Sequence, residues 1–304
     1  MKNIIRAMRL PFITATIIPV IFGATFAFYE TGNFNWVTFF ISLIGVVMLH
    51  LGSNVSNDYY DHLSMNDDVN KHHSMFNGGS RVIQDNIFTK KQMKILSRTL
   101  YMIGVSAGLI LTIYLNNIYI LILGAIGLLL GVFYTKPPLK LGYRTLGEVS
   151  IALAFGVLVV LGSYIVQTGE ISWSATFVSL PLSILVVQII LLNEFPDHDA
   201  DKKVGKKTLI VAIGKQKSIL IFHILLVLAY TIIPILVING ILGIYSLSVF
   251  MTMPLATKIF FHTKKNYSKT KELLPANAMT INLHVLFGVL MIISELLRSF
   301  FPLI

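Results

Sequence analysis

The sequence lacks cysteine altogether and has few charged residues. Without cysteine, disulfides, thiolate metal ligands and cysteine nucleophiles are all excluded. Only 12% of the 304 residues are Asp, Glu, Lys or Arg, whereas soluble domains carry about 25%. Together with 55% hydrophobic residues and a mean hydropathy of +0.76, this scarcity of charge excludes an ordinary water-soluble globule and predicts a membrane protein.

Long apolar runs take up most of the chain. A helix needs about 20 apolar residues to cross roughly 30 Å of hydrocarbon. Nine runs meet or approach that length, at residues 10–29, 36–55, 100–114, 118–135, 146–167, 173–192, 218–238, 241–261 and 276–297. Run 100–114 is the shortest, although Lys94 and Arg98 can snorkel and lengthen it. The prediction is an all-α polytopic membrane protein: one domain over residues 1–304, with nine transmembrane helices.

The basic residues give the orientation. With nine spans, every Lys and Arg except Arg298 falls on the same side. The positive-inside rule makes that side cytoplasmic, so the sequence predicts a multi-pass cell-membrane protein with a cytoplasmic N-terminus and an external C-terminus. The net charge of +10 is then a consequence of orientation in a lipid bilayer and does not indicate nucleic-acid binding.

Acidic residues are concentrated in the two largest cytoplasmic connections. In the first, Asn54, Asp58 and Asp61 lie three to four residues apart, on one face if the second span continues as a helix. Asp67 follows and is expected to reach in from a loop. The connection ends the second span, so its carboxylates are predicted at the cytoplasmic membrane surface.

The second acidic segment repeats this pattern. Asn193, Asp197 and Asp201 recur every four residues and form another stripe at the end of the sixth span. Pro196 lies within the stripe, so a kink or a restart of the helix is expected there.

Stacked carboxylates repel one another unless a cation or hydrogen-bond donors compensate them. Oxygen ligands without thiolates suit Mg²⁺, which typically binds through one or two carboxylates plus phosphate oxygens. Acidic residues in a single polar loop would need no such explanation. Two corresponding segments on the same side favour a magnesium–diphosphate site, with an active-site cap over the cytoplasmic ends of the helices.

The motifs resemble those of the UbiA superfamily of intramembrane aromatic prenyltransferases, and the resemblance covers nearly the whole chain. Beyond the acidic segments it includes Arg9-Leu-Pro11, Gly78-Gly79-Ser80-Arg81, the segment from Tyr134 to Lys140, Leu141-Gly-Tyr-Arg144 through Gly147-Glu148, Gly156, residues 161–169 and residues 201–209. The resemblance implies nine helices and two Asp-rich motifs that bind an isoprenyl diphosphate through Mg²⁺.

The spacing of the first motif distinguishes branches of the superfamily. The ubiquinone-type branch would require an acid at position 65, where this chain has Met65. The next acid is Asp67, a spacing similar to that of the 1,4-dihydroxy-2-naphthoate prenyltransferases of menaquinone synthesis, which residues 161–169 also resemble. The segment from His72 to Asn77 is not typical of that branch. Another acceptor, such as 4-hydroxybenzoate, homogentisate or a lipid alcohol, stays open.

The resemblance assigns roles to individual residues. Catalytic aspartates would be Asp58, Asp61, Asp197 and Asp201, with the same four and Asp67 as metal ligands. The expected substrate-binding residues are Asn54, Arg81, Tyr134, Lys136, Lys140, Arg144, Asn193, Lys202 and Lys206. The partners would be a polyprenyl diphosphate, an aromatic acceptor and the bilayer. Each Lys or Arg also has a simpler explanation in membrane orientation, and Tyr134 and Tyr143 in an interfacial aromatic belt.

Other classes of protein fit the sequence less well. A secondary transporter would place its acids at mid-membrane, whereas these lie at helix ends. A scaffold would have no use for paired acidic stripes, and the motif of CDP-alcohol phosphotransferases is absent. The histidines His50, His223 and His284 stand alone in predicted spans, where a hydrogen bond to a neighbouring helix is the favoured interpretation over a catalytic role.

Overall fold

The computed structural model describes residues 2–70, 72–74 and 76–301, and these contain helices but no β-strand. The α-helices are α1 Lys2–Met8, α2 Thr14–Thr31, α3 Trp36–Leu63, α4 Asn66–Val69, α5 Lys90–Leu115, α6 Ile118–Val132, α7 Gly147–Ile151, α8 Leu158–Thr168, α9 Trp173–Lys203, α10 Leu209–Ile213, α11 Lys215–Ile238, α12 Met253–Asn266 and α13 Thr270–Phe300. A π-helical segment, Ala152–Val157, joins α7 to α8.

Eight helical stretches in the described residues are long and apolar enough to cross a membrane. They are Leu10–Thr31, Trp36–Leu63, Lys90–Leu115, Gly147–Thr168, Trp173–Lys203, Lys215–Ile238, Ile244–Asn266 and Thr270–Phe300. The remaining predicted span corresponds to α6, which has 15 residues. At 1.5 Å per residue α6 is about 22 Å long, less than the roughly 30 Å of a hydrocarbon core. A ninth crossing therefore stays a prediction.

The stretch expected to be shortest is in fact long. Run 100–114 lies within α5, which has 26 residues and begins at Lys90. The helix begins there because Thr89 and Gln92 form a capping box, in which each side chain bonds the other residue's backbone N–H. Hydropathy alone missed this start because the first two turns of α5 are basic.

The two helices that carry acidic segments continue past their apolar spans. Helix α3 runs to Leu63, eight residues beyond the predicted span, and α9 runs to Lys203. Pro196 does not restart the helix, since α9 is unbroken through it. Asp67 does not come from a loop: it lies in the four-residue helix α4, which follows Met65 with its φ of 64°. Helical backbone therefore presents both acidic stripes.

Helix α9 lies at the centre of the bundle. It packs against α11, α13 and the π-helical segment, while α2 packs against α8 and α13, and α3 against α5. Its buried residues include Leu182, Leu185, Leu191 and Leu192, all in the main hydrophobic core. The core thus fixes the position of α9, including the acidic stripe at its end.

Gly156 lets the π-helical segment approach α9 closely. A Cβ atom at Gly156 would lie 1.7 Å from Ser183 Oγ and 2.6 Å from Ser183 Cα. We expect Gly156→Ala to lower the free energy of unfolding by about 1–3 kcal/mol, because backbone must shift. Gly162→Ala is the matched control, since a Cβ there meets nothing within 4 Å. Thermal unfolding in detergent measures both, and equal transitions would contradict the close contact.

Candidate active site

The acidic ends of α3 and α9 face each other across a short gap. Asp58, Asp61 and Asp201 are 3%, 4% and 0% exposed, so their carboxylates are removed from bulk water. Asn66, on α4, donates from Nδ2 to Oδ1 of Asp201 at 2.9 Å. The amide thus connects the first acidic segment to the second and brings both to one site.

Asp197 is held by the segment that follows α4. Its Oδ1 accepts from Asn70 Nδ2 at 2.6 Å and from Asn77 Nδ2 at 2.7 Å. Its Oδ2 accepts from the backbone N–H of Gly78 at 3.3 Å. These three hydrogen bonds tie the segment over the end of α9.

Lys206 stands between the two acidic stripes. Its Nζ lies 3.6 Å from Asp61 Oδ2 and 3.5 Å from Asp201 Oδ1. Burial alone would lower the pKa of the ammonium, but the carboxylates of Asp201 and Asp61 raise this pKa well above its ordinary value. Lys206 therefore stays charged and supplies a positive charge to both motifs.

Tyr143 completes the surroundings of Asp61. Its hydroxyl donates to Asp61 Oδ1 at 2.7 Å, and its ring lies 5.3 Å from Lys206 Nζ. Burial and the negative charge of Asp61 raise the pKa of the phenol, so the hydroxyl stays protonated and remains a donor. Tyr143 thus contacts Asp61 through its hydroxyl and the Lys206 ammonium through the face of its ring.

Asp58 faces the N-terminal segment and the glycine-containing loop. Its Oδ2 accepts from the backbone N–H of Ser80 at 3.1 Å, and Arg9 Nη1 lies 4.0 Å from its Oδ1. The residue immediately before Ser80 must be glycine, because Gly79 has φ of 70° and a Cβ there would lie 2.3 Å from Asp67 Oδ2. The loop backbone thereby lies directly against two of the carboxylates.

The site has unbalanced negative charge that fits a divalent cation. Burial raises the pKa of Asp67 well above its usual value, and the carboxylates of Asp61 and Asp58 raise it further. Asp58 Oδ1 and Asp201 Oδ2 are buried without a hydrogen-bond partner. Oxygen donors of this kind suit Mg²⁺.

The carboxylates are nevertheless spread over a wide site. Within residues 2–70, 72–74 and 76–301, no three His, Asp or Glu side chains are grouped closely enough to hold one ion. An ion at these carboxylates would therefore take the rest of its ligands from water or from phosphate oxygens, as Mg²⁺ commonly does.

Some of the expected substrate-binding residues lie at the site. Arg81 donates from Nη1 to the backbone carbonyl of Asp67 at 2.8 Å. Lys140 Nζ lies 5.0 Å from the ring of Tyr143, the residue whose hydroxyl donates to Asp61. Asn54 donates to the carbonyl of Met8 at 3.1 Å.

Asn193 and Tyr134 also line this region. Asn193 Oδ1 accepts from Asn277 Nδ2 at 2.6 Å, which ties the start of the second motif to α13. Tyr134 is packed against Gly142, where a Cβ would approach its ring to 2.8 Å. Burial raises the pKa of the Tyr134 phenol, so it is a neutral hydroxyl.

Three expected cations are not brought to the carboxylates. Lys136, Arg144 and Lys202 are exposed, and none forms an ion pair in the part of the chain that the structure describes. Lys136 lies 5.9 Å from the Phe133 ring, and Arg144 donates to the carbonyl of Pro138 at 3.4 Å. Lys136 and Arg144 lie in the connection between α6 and α7, and Lys202 lies in the last turn of α9. All three side chains face solvent there, so their role in substrate binding stays a prediction.

Several residues at the site were missed by sequence reasoning. Three asparagines that donate to the aspartates of the second motif were not singled out from the sequence: Asn66, Asn70 and Asn77. Their signal in the sequence was the presence of three amides between the two acidic segments. Arg9 was counted only for orientation and for the resemblance, yet it lies beside Asp58.

Two cavities lie inside the bundle, and the upper one reaches Asn54 and Asn193, each four residues before an aspartate of the site. The upper cavity, about 100 Å³, is lined by the polar residues Arg9, Asn54, Tyr134 and Asn193 and also by His50 and Phe155. The apolar cavity, about 230 Å³, continues between α2, α3, α5, α6 and α8. His50, Ser53 and Phe155 line both, so the two cavities meet at these residues.

Comparison with known proteins gives a consistent result. The UbiA prenyltransferase family matches residues 16–286. The 1,4-dihydroxy-2-naphthoate octaprenyltransferase of Bacillus subtilis is 26% identical over 291 residues, covering 95% of this chain and 90% of that protein. UbiA prenyltransferase domain-containing protein 1 of Dictyostelium discoideum is 31% identical over 237 residues, covering 76% of this chain and 69% of that protein.

Solved structures share the fold. A UbiA homolog from Archaeoglobus fulgidus bound to GPP and Mg²⁺ superimposes with a TM-score of 0.67 at 15% identity, covering 95% of this chain and 99% of that one. A digeranylgeranylglyceryl phosphate synthase gives 0.64 at 20% identity, covering 97% and 99%. With its family match, its helical fold and its facing acidic helix ends, the chain belongs to the UbiA prenyltransferase family.

Proposed function

We propose that this protein transfers a polyprenyl group from its diphosphate to 1,4-dihydroxy-2-naphthoate within the membrane. The observation that carries the proposal is a group of buried carboxylates beside two cavities: Arg9, which lies 4.0 Å from Asp58, lines the upper cavity, and the upper cavity shares lining residues with an apolar cavity among the helices. A charged head and a long apolar tail need this combination of surroundings. The naphthoate acceptor is supported by the name of the Bacillus subtilis relative, which is 26% identical. A Synechocystis relative, also 26% identical, is named as a 2-carboxy-1,4-naphthoquinone phytyltransferase and so is named for the same ring system.

The metal ligands would be Asp58, Asp61 and Asp67 on one side and Asp197 and Asp201 on the other. Mg²⁺ ions at these carboxylates would neutralise the diphosphate and promote its departure from C1 of the prenyl chain. Asn54 and Asn193 would orient the site, as their bonds to Met8 and Asn277 fix both amides. The Archaeoglobus fulgidus homolog was solved with GPP and Mg²⁺, which supports this use of the site.

The protein's own residues would act mainly by position and charge. Lys206 and Arg9, both beside carboxylates, would stabilise the negative charge that develops on the leaving diphosphate. The largely apolar cavity walls would exclude water from the allylic cation until the aromatic ring attacks C1. Attack forms the new C–C bond, and with a naphthoate acceptor the overall reaction also releases carbon dioxide.

The same proposal covers domain organisation and location. The whole chain would work as one domain, which is supported by structural similarity over 95% of its length. The basic residues would place the carboxylates at the cytoplasmic face of the cell membrane, with the N-terminus on that side and the C-terminus outside.

The purified protein should prenylate 1,4-dihydroxy-2-naphthoate and not 4-hydroxybenzoate when both are offered with Mg²⁺ and a long-chain polyprenyl diphosphate. EDTA should abolish product. Chromatography of the prenylated products and an assay of released diphosphate measure the two steps separately. Product from 4-hydroxybenzoate alone, or diphosphate release without either product, would point to another acceptor, and no diphosphate release at all would contradict the proposed reaction.

A further inference from the structure

The junction of the two cavities contains a histidine that the proposed reaction has not used. His50 lines both cavities, on the face of α3 that also carries Asn54 and Asp58. Because these residues are four apart, His50 lies two turns, or about 12 Å along the helix axis, below Asp58. His50 therefore lies inside the predicted span 36–55, away from the acidic end of α3.

Two contacts fix the His50 ring, and they leave one of its nitrogens available for a further hydrogen bond. Its Nδ1 is hydrogen-bonded to Thr16 Oγ1 at 2.7 Å. Its ring meets the Phe155 ring edge to face, with centroids 4.6 Å apart. Across the described ranges, Nε2 has no hydrogen-bond partner, and the imidazole lies on the cavity wall.

Most other polar side chains in the wall of the apolar cavity already form hydrogen bonds within the protein. The hydroxyls of Ser42, Ser53 and Ser163 donate to the backbone carbonyls of neighbouring residues. The Tyr101 hydroxyl has no partner, but Tyr101 lines only the apolar cavity and not the junction. At the junction, His50 therefore remains as the group able to bond a polar atom of a ligand.

Phe155 is fixed opposite His50 by the backbone. It lies in the π-helical segment Ala152–Val157, next to Gly156, whose contact with Ser183 holds that segment against α9. π-helical segments inserted in α-helices are frequent at functional sites. The result is an aromatic surface beside the His50 imidazole.

We propose that His50 recognises a ring oxygen of the aromatic acceptor through Nε2, while the acceptor's ring packs against Phe155. The inference rests on the proposed prenyl transfer and adds to it the residue that selects a hydroxylated ring. His50 is a positioning residue, and no proton transfer is assigned to it. An acceptor without the matching hydroxyl would leave a buried nitrogen without a partner, which disfavours its binding.

The test compares acceptor recognition in His50→Leu, His50→Gln and wild type. The Michaelis constants for 1,4-dihydroxy-2-naphthoate and for the polyprenyl diphosphate are measured, with inhibition constants for 1-hydroxy-2-naphthoate and 4-hydroxy-2-naphthoate. In wild type, one of these analogues should bind about tenfold more weakly than the dihydroxy compound. His50→Leu should raise the KM of the acceptor about tenfold, abolish that discrimination and leave the KM of the diphosphate unchanged, whereas His50→Gln should restore part of the recognition.

His223 provides a matched control. It too is a histidine bonded to a threonine on a neighbouring helix, with Nε2 2.9 Å from Thr263 Oγ1, but it lines neither of the two cavities. His223→Leu should leave both Michaelis constants unchanged, and thermal unfolding checks that all variants fold.

The outcomes separate the two proposals. An active wild type with the same discrimination in His50→Leu overturns the role of His50 and leaves the proposed function intact. Equal binding of the dihydroxy compound and both analogues by wild type also overturns it. A wild type that releases diphosphate but prenylates no naphthoate overturns the proposed acceptor, and the role of His50 falls with it.

Discussion

Replacement of Asp58 or Asp197 with alanine should reduce prenyl transfer by about 10³-fold or more. Both carboxylates belong to the site that would hold the cations, one on each acidic stripe, and electrostatic stabilisation of a leaving group of this charge is a large part of catalysis. The decisive measurement is the rate of diphosphate release at saturating Mg²⁺ and polyprenyl diphosphate. Undiminished rates in both variants would contradict the metal-site assignment.

The neighbouring acids allow a matched comparison. Asp199, only two residues from Asp197, has a side chain 74% exposed and paired with His198, and Asp68 is paired with His62. Asp199→Ala and Asp68→Ala should retain wild-type rates. Asp197→Asn is a further variant, because it keeps an oxygen for Asn70 and Asn77 while removing the charge. If Asp197→Asn is also inactive with an unchanged thermal transition, loss of activity is due to the charge and not to the displaced segment.

Lys206→Met should destabilise the metal-free protein by about 3–5 kcal/mol, because it leaves the buried carboxylates of Asp61 and Asp201 without their shared cation. Mg²⁺ with inorganic diphosphate should then raise the thermal transition of the variant by more than that of wild type, since the ions replace the missing positive charge. Diphosphate release should also slow. Thermal unfolding in EDTA and in Mg²⁺ with diphosphate gives both comparisons.

Lys203→Met is the appropriate control, because Lys203 is exposed at the end of α9 and forms no ion pair within the described residues. It should match wild type in EDTA and in Mg²⁺. If Lys206→Met unfolds in EDTA at the same temperature as Lys203→Met, then Lys206 does not balance the two carboxylates, and its place in the site would have to be reconsidered.

The apolar spans and the acidic spacing could be predicted because each depends on neighbouring residues. The length of an apolar run decides whether a helix can cross a bilayer, and the every-fourth-residue spacing of Asn193, Asp197 and Asp201 decides that they share a helix face. Helix ends were harder. The capping box at Thr89 and the left-handed conformation of Met65 depend on backbone geometry that hydropathy does not report.

The choice among basic residues could not be made from the sequence. Lys202 and Lys206 follow the same acidic motif, yet Lys206 turns back between Asp61 and Asp201 while Lys202 faces solvent. The chain turns there because Gly205 has φ of 73°, after which the N–H of Lys206 bonds the carbonyl of Asp201 at 2.8 Å. A single backbone reversal therefore decided which cation belongs to the site.

By itself the sequence determined the helical membrane fold, the family and the two acidic segments, because composition, periodicity and motif spacing are local properties. Only the tertiary structure decided which side chains meet. Asn66, Asn70 and Asn77 reach the second motif, and His50 meets Phe155, over separations of more than 100 residues. Such contacts arise from the packing of α3 and α9 with the segments between them, and no short stretch of sequence encodes that packing.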